Sequence, residues 1–260
     1  MTLLWHDVYL DDVSESGFTG PGADRYKLNV KEFNSQISRL ARTRTDKPVL
    51  LPGIRRDERR DIPFAITVDD GGVSYYTVIA ESLEALGWRG HCMVTTGCIG
   101  KPGFLNAGQL RELYDRGHVI GTHSVSHPTR FSACSEKQMV SEWKESKQTL
   151  EDVLGQPVIS GSIPGGYYSR TAAEAASESG LELLFTSEPS TCVKHISDCT
   201  VLGRFGVRRG HSADFIGRLA AMERSVQTRE WIIWNSKKVL KNIFGAAYPR
   251  ITSLAGRLVH

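Results

Sequence analysis

The feature that most restricts this chain is an alternation of short apolar runs with longer stretches carrying apolar residues at helical spacing. That is the pattern of repeated βα units around a mostly parallel sheet. The runs at 3–8, 64–68, 91–94, 119–122, 158–163, 181–186 and 201–207 read as about seven strands. Between them, Val30, Phe33, Ile37 and Leu40 recur at helical spacing. Residues 73–86 read as a helix closed by Gly87, 106–116 as one with Asn106 as N-cap, and 171–179 as another. The longest helical pattern, 135–154, starts on a Ser135/Gln138 capping box and stops at Gly155 and Pro157. The 260 residues suffice for one large α/β barrel. The expectation is a distorted, TIM-barrel-like (β/α) barrel over residues 1–228, with 229–260 as a basic, amphipathic helical appendage.

Composition narrows the function classes. An apolar share of 40% and a charged share of 23% are those of an ordinary globular protein with a sizeable core. A formal net charge of +3 argues against a general nucleic-acid binder. The five cysteines form no CxxC pair, so neither a disulfide framework nor a Zn–Cys site is expected. A reducing compartment is the simpler expectation. The opening residues have no basic n-region, and no segment carries the run of about 18 to 20 apolar residues that a membrane span needs. A cytoplasmic location is therefore expected. From Arg229 onward, Lys237, Lys238, Lys241, Arg250 and Arg257 face only Glu230, a bias that suits contact with an anionic membrane surface. The alternative is a helix packed on its own barrel with its lysines in solvent.

Two polar clusters stand just after expected strands, where a βα-barrel builds its active site. The first is Asp69-Asp70-Gly71-Gly72. Adjacent residues at a strand end point apart, so one carboxylate can bind a metal while the other stays free as a base. The plain alternative is an Asp-Gly turn. The second is His123-Ser124-Val125-Ser126-His127, two imidazoles at a spacing that can converge on one cation. With eight histidines in the chain, a chance pair is the alternative. Taken together, two imidazoles and one carboxylate make a facial triad with open positions for water and substrate.

These residues resemble the polysaccharide deacetylases, also called NodB-homology or carbohydrate esterase family 4 proteins. Thr67-Val68-Asp69-Asp70-Gly71 is similar to the family's T-F-D-D-G, and the histidine pair to its H-S/T-x-x-H, in that order and about 55 residues apart. The segments 102–106 and 116–122 look like the usual approach to the second motif, and the resemblance runs from about residue 3 to 209. It implies hydrolysis of an N-acetyl, or less often O-acetyl, group on a sugar. Asp69 would be the general base, and Asp70, His123 and His127 would hold one divalent cation. Zn²⁺ is the first expectation, with Co²⁺, Ni²⁺ and Mn²⁺ as alternatives. The backbone N–H of Gly165 would contribute to the oxyanion site.

The third motif departs from the family. R-P-P-Y-G is replaced by Ser162-Ile163-Pro164-Gly165-Gly166, so the arginine expected beside the catalytic aspartate is missing. Asp69 should then be more basic, unless Arg204, Arg208 or Arg209 substitutes. The groove's Asp-Trp pair has no match at 185–189, and neither His195 nor His211 is a clear counterpart of the late histidine that protonates the leaving amine. Tyr167, Tyr168 and Trp88 are candidates for sugar contact, with burial in the core as the commoner fate. The expected function is metal-dependent deacetylation of an acetylated amino sugar in a polysaccharide or glycoconjugate precursor. The alternatives are a hydrolase of non-sugar amide bonds on the same fold, and a glycan-binding protein without activity.

Overall fold

The computed structural model describes residues 1–51 and 64–244, with side chains through residue 236. The chain opens with β1 (Thr2–Trp5), β2 (Val8–Tyr9), β3 (Leu28–Asn29) and helix α1 (Val30–Thr43). It continues through β4 (Ala65–Val68), a π-helical turn at Tyr75–Ile79 leading into α2 (Ala80–Glu84), and β5 (His91–Val94). Next come α3 (Ala107–Asp115), β6 (Val119–Thr122), α4 (Glu136–Leu154), β7 (Ser160–Ser162) and α5 (Arg170–Glu178). The last elements are β8 (Leu183–Phe185), β9 (Val193–Ile196), β10 (Cys199–Leu202), β11 (Phe205–Gly206), α6 (Ala213–Ala220) and α7 (Arg224–Phe244).

Among the described residues, nine strands form one curled sheet in the order β11-β1-β4-β5-β6-β7-β8-β10-β9. Every neighbouring pair is parallel except β9 with β10. β11 and β9 remain as edges, so the barrel is open; β2 and β3 pair separately. This is the distorted α/β barrel expected from the sequence. None of the described helices is long and apolar enough to cross a membrane.

The two-residue period of the strands divides the sheet into two faces. Ile66 and Val68, with Cys92 and Val94, join Phe33, Ile37 and Leu40 of α1 in a core between sheet and helices. Each fully buried Leu, Ile or Phe there contributes about 1.5–3 kcal/mol. Ala65, Met93, Leu183, Phe185 and Leu202 fill the barrel interior with Leu51. Thr67 and Asp69 continue the inward row of β4, which is what aims Asp69 at the interior.

Helix ends follow the sequence closely. Asn29 and Asn106 both close reciprocal capping boxes, with Glu32 and Gln109. At α4 only half of the expected capping box forms, the Ser135 side chain accepting from the Gln138 N–H, and Gly155 ends the helix in the left-handed region at φ 67°. Such N-caps are each worth about 1 kcal/mol.

Three expectations about the strands are corrected. The first strand stops at Trp5; His6 and Asp7 leave the sheet, and Val8 pairs with Leu28 instead. The expected strand 201–207 is two strands, broken at Gly203 and Arg204. The chain passes so close to its neighbour there that a Cβ on Gly203 would lie 2.5 Å from the Glu188 carbonyl oxygen. The strands β9 and β10 form an antiparallel hairpin that brings the sheet to nine strands rather than about seven. The boundary drawn at residue 228 falls inside α7, and the part of the basic tail beyond residue 244 lies outside the described residues.

Candidate functional site

A cavity of about 460 Å³ opens at the C-terminal ends of the strands. Asp69, Asp70, His123, His127 and Gly165 all line it, so the structure gathers every site residue expected from the sequence. Asp70 and His127 stand in the left-handed region, at φ 80° and 51°, as does Ser124 at 66°. Each such non-glycine residue costs on the order of 1–3 kcal/mol and persists only where its surroundings impose it.

For the histidine loop those surroundings are visible. The Ser124 N–H donates to Thr122 Oγ1 at 3.1 Å, and the His127 N–H to Ser124 Oγ at 3.1 Å. Glu142 of α4 accepts from the N–H groups of Val125 and Ser126, at 2.8 and 2.9 Å, and from the Ser126 hydroxyl. The Phe18 ring packs on His127 with centroids 4.8 Å apart.

Asp70, His123 and His127 each present one ligand atom, all within 4.8 Å of one another. Asp70 Oδ1 lies 3.4 Å from His123 Nε2 and 3.5 Å from His127 Nε2. Tetrahedral ligands on bonds of ~2.05 Å stand ~3.3 Å apart, so these edges fit a Zn²⁺-sized cation. His123 Nδ1 lies 2.9 Å from the Ser162 carbonyl oxygen. Donating there would leave Nε2 as the ligand atom, the outer-shell arrangement that orients metal-binding histidines.

Asp69 takes no part in that set. Its carboxylate, buried, accepts from Arg204 Nη1 at Oδ1 and from Nη2 at Oδ2, both at 2.7 Å. The fully buried Arg204 also donates from Nε to the Thr186 carbonyl at 2.8 Å and from Nη1 to Thr67 Oγ1 at 3.2 Å. The missing motif arginine is thus replaced from the break between β10 and β11. Ser162, which occupies the motif position, donates its hydroxyl to Asp69 Oδ1 at 3.0 Å and lies 2.6 Å from His123 Nδ1.

Charge follows this geometry. Burial pushes Asp69 up, but the Arg204 guanidinium and then His123 outweigh it and hold the carboxyl below its ordinary range. The expectation of a more basic Asp69 applied only without a substitute arginine, and Arg204 is that substitute. Burial would likewise lower His123, yet Asp69 and Asp70 raise it above its usual value. His127 is pushed down to about 4 by burial and then by His123. A neutral imidazole is the form that ligates a cation.

One residue escaped the sequence reasoning. His6, directly after β1, lines the same cavity and packs against Tyr26 with ring centroids 4.7 Å apart. Burial lowers its pKa, with Asp70 and Asp69 acting in the other direction. The rule that polar residues after barrel strands are functional would have found it, had the first strand not been extended over it to Val8. His211 pairs with Arg208 and does not line the cavity; His195 is on β9 beside Thr200. Tyr167 lines the cavity, whereas Trp88 is buried against Phe64 and Tyr168 lies under Lys194.

Comparison with known proteins accords with this geometry. The family model described as polysaccharide deacetylase matches residues 56–184, which hold both metal-ligand motifs and Asp69. The chain belongs to the polysaccharide deacetylase family. YxkH of Bacillus subtilis (strain 168), a protein named for polysaccharide deacetylase, is 27% identical over 124 residues. That match covers 48% of this chain and 44% of YxkH, less than half of either. The deacetylase PplD of Streptococcus pyogenes superposes with a TM-score of 0.66 at 20% identity, over 85% of this chain and 97% of PplD. BC0361, a polysaccharide deacetylase from Bacillus cereus, gives 0.65 at 17% over 86% and 68%. IcaB from Ammonifex degensii gives 0.60 at 18% over 85% and 99%. At these identities the likeness is one of fold. The polysaccharide deacetylase family is one of hydrolases acting on non-peptide C–N bonds and generally uses a divalent metal.

Proposed function

We propose that this protein is a metal-dependent deacetylase that hydrolyses the N-acetyl group of an amino sugar in a polysaccharide or glycoconjugate. The observation that carries this is the meeting, in one cavity, of the Asp70, His123 and His127 donor set with a separate carboxylate held ionised by Arg204. Zn²⁺ suits the donor set best, and Co²⁺, Ni²⁺ or Mn²⁺ could take the same ligands. A divalent cation there acidifies water and polarises an acyl carbonyl.

The chain's own residues supply the rest. Asp69 Oδ2 lies 4.0 Å from His123 Nε2, beside the cation position, and takes the proton of the attacking water. Arg204 fixes both carboxylate oxygens, so the base cannot rotate away. Gly165 sits at φ 71° on the cavity wall, and among the described residues nothing accepts from its N–H. That donor serves the oxyanion. His6, which lines the same cavity, gives a proton to the leaving nitrogen. An O-acetyl group would use the same groups with less need of His6.

We further read the C-terminal helix as a peripheral contact with an anionic membrane on the cytoplasmic side. Trp231 and Ile232 are exposed on α7, ahead of Lys237, Lys238 and Lys241 in the sequence, and co-sedimentation with anionic vesicles tests this. The activity is tested by acetate release from N-acetylglucosamine oligomers, with hydrolysis of small cyclic amides in parallel. Release abolished by Asp69→Asn supports the proposal. Hydrolysis of the cyclic amides alone would favour the non-sugar amidase, and oligomer binding without turnover would favour the glycan binder.

A further inference from the structure

The cavity has a wall that neither family motif supplies. Helix α7 lies outside the segment matched by the family model, yet Glu230, Ile233 and Trp234 line the cavity that holds the metal-ligand set. These positions recur with Val226, a core residue, at helical spacing, so one face of α7 is anchored inward. Two contacts lock it there. Arg208, just past β11, donates to both carboxylate oxygens of the buried Glu230, at 3.2 and 2.8 Å. Trp234 stacks on Tyr167, with centroids 5.0 Å apart and the rings 27° from parallel. Tyr167 directly follows Gly165 and Gly166, so the stack joins α7 to the loop that carries the oxyanion donor.

Trp234 has one further property. Its indole N–H is buried and has no hydrogen-bond partner among the described residues. Buried indole N–H groups nearly always find an acceptor, because leaving one unmade costs about 1–3 kcal/mol. A cavity of about 460 Å³ lies within the range of about 300 to 1,000 Å³ that takes a whole ligand rather than an acetyl group.

We propose that α7 is the specificity wall of the substrate site, with Trp234 and Tyr167 packing the apolar face of a pyranose ring. A sugar oxygen accepts from the Trp234 N–H, and Glu230, fixed by Arg208, accepts from a sugar hydroxyl. The wall thereby selects an amino-sugar amide over a small amide bearing the same acetyl group. For its chemistry the inference rests on the deacetylase proposal above; the wall itself is a binding claim.

The test compares kcat/KM for an N-acetylglucosamine oligomer with that for N-acetylethanolamine, in the metal-loaded full chain. Trp234→Ala and Glu230→Gln should each lower the ratio about tenfold, with the loss on KM several-fold larger than on kcat. Trp234→Phe keeps the stack but loses the N–H, and should fall between wild type and Trp234→Ala. It also guards against a folding defect, read from its melting temperature. A ratio unchanged in all three variants overturns the proposal. If no amide is turned over by the wild type, the deacetylase proposal fails by itself. Calorimetric affinity for a glucosamine oligomer then decides the wall: weakened about tenfold by Trp234→Ala supports it, and equal affinity overturns it.

Discussion

Arg204→Met removes the guanidinium while keeping an unbranched apolar stem, and its effect on Asp69 can be worked from the structure. Two charge-assisted bonds of 2.7 Å join a fully buried guanidinium to a buried carboxylate. Removing one partner of such a pair costs about 3–5 kcal/mol, because the other is left buried and uncompensated. A neighbouring arginine lowers an aspartate by about 1–3 pKa units, and at 1.36 kcal/mol per unit this gives a similar scale. In the native protein burial raises Asp69, and Arg204 together with His123 more than reverses it, so the folded value lies below the unfolded one. Asp69 therefore stabilises the fold above the unfolded value, and that contribution is lost as pH falls through the folded value. Without Arg204 burial dominates and the sign inverts, so that ionised Asp69 destabilises the variant as pH rises. Urea unfolding of the metal-free proteins from pH 4 to 8 should show a deficit that grows to about 3–5 kcal/mol at neutral pH. The acid limb of kcat/KM for acetate release should move upward by about 1–3 pH units. A deficit that is flat across pH, or an unmoved acid limb, would refute the coupling of Arg204 to Asp69.

Three other outcomes are expected. Asp7 accepts from the hydroxyls of Ser16 and Ser74 and is held up to about 6, first by burial and then by Asp70. A raised folded value gives stability that is complete below the unfolded value near 3.8 and falls as pH rises through 6; Asp7→Asn should flatten that slope and add on the order of 3 kcal/mol at pH 8 to the metal-free protein, measured by urea unfolding. Glu142→Ala frees the N–H groups of Val125 and Ser126 and should weaken metal affinity about 10- to 100-fold in a competition titration with a chromophoric chelator. His6→Ala should lower kcat for an acetamido sugar by about 10² to 10⁴, and much less for an activated acetate ester whose leaving group needs no proton. Equal losses on the two substrates would remove His6 as the donor.

The amino-acid sequence made the barrel legible because strands buried on both faces read as short apolar runs, set apart by helical stretches. Residues 64–70 show this best: Ile66 and Val68 face the helices while Ala65, Thr67 and Asp69 face inward. The metal set was legible because its three members stand in two short motifs. Contacts across long separations were less so. Arg204 lies 135 residues from Asp69, one of three arginines that could have substituted, and only the break between β10 and β11 brings it to the carboxylate. The two residues of β11 are too few to show a period, and β9, none of whose four residues is buried, has no apolar run to show. His6 was hidden by an apolar run that continued past it although the sheet did not. Trp234 meets Tyr167 only because α7 folds back over the cavity, a tertiary contact with no local signature.

The central claim is that Asp70, His123 and His127 hold one cation that the chemistry requires. Metal content of the purified protein, measured together with acetate release before and after chelation, tests it most directly. One equivalent of a divalent metal per chain is expected, with release lost on chelation, restored by adding the metal back, and absent in His123→Ala. Protein that takes up no metal, or that releases acetate equally with chelator present, would contradict it.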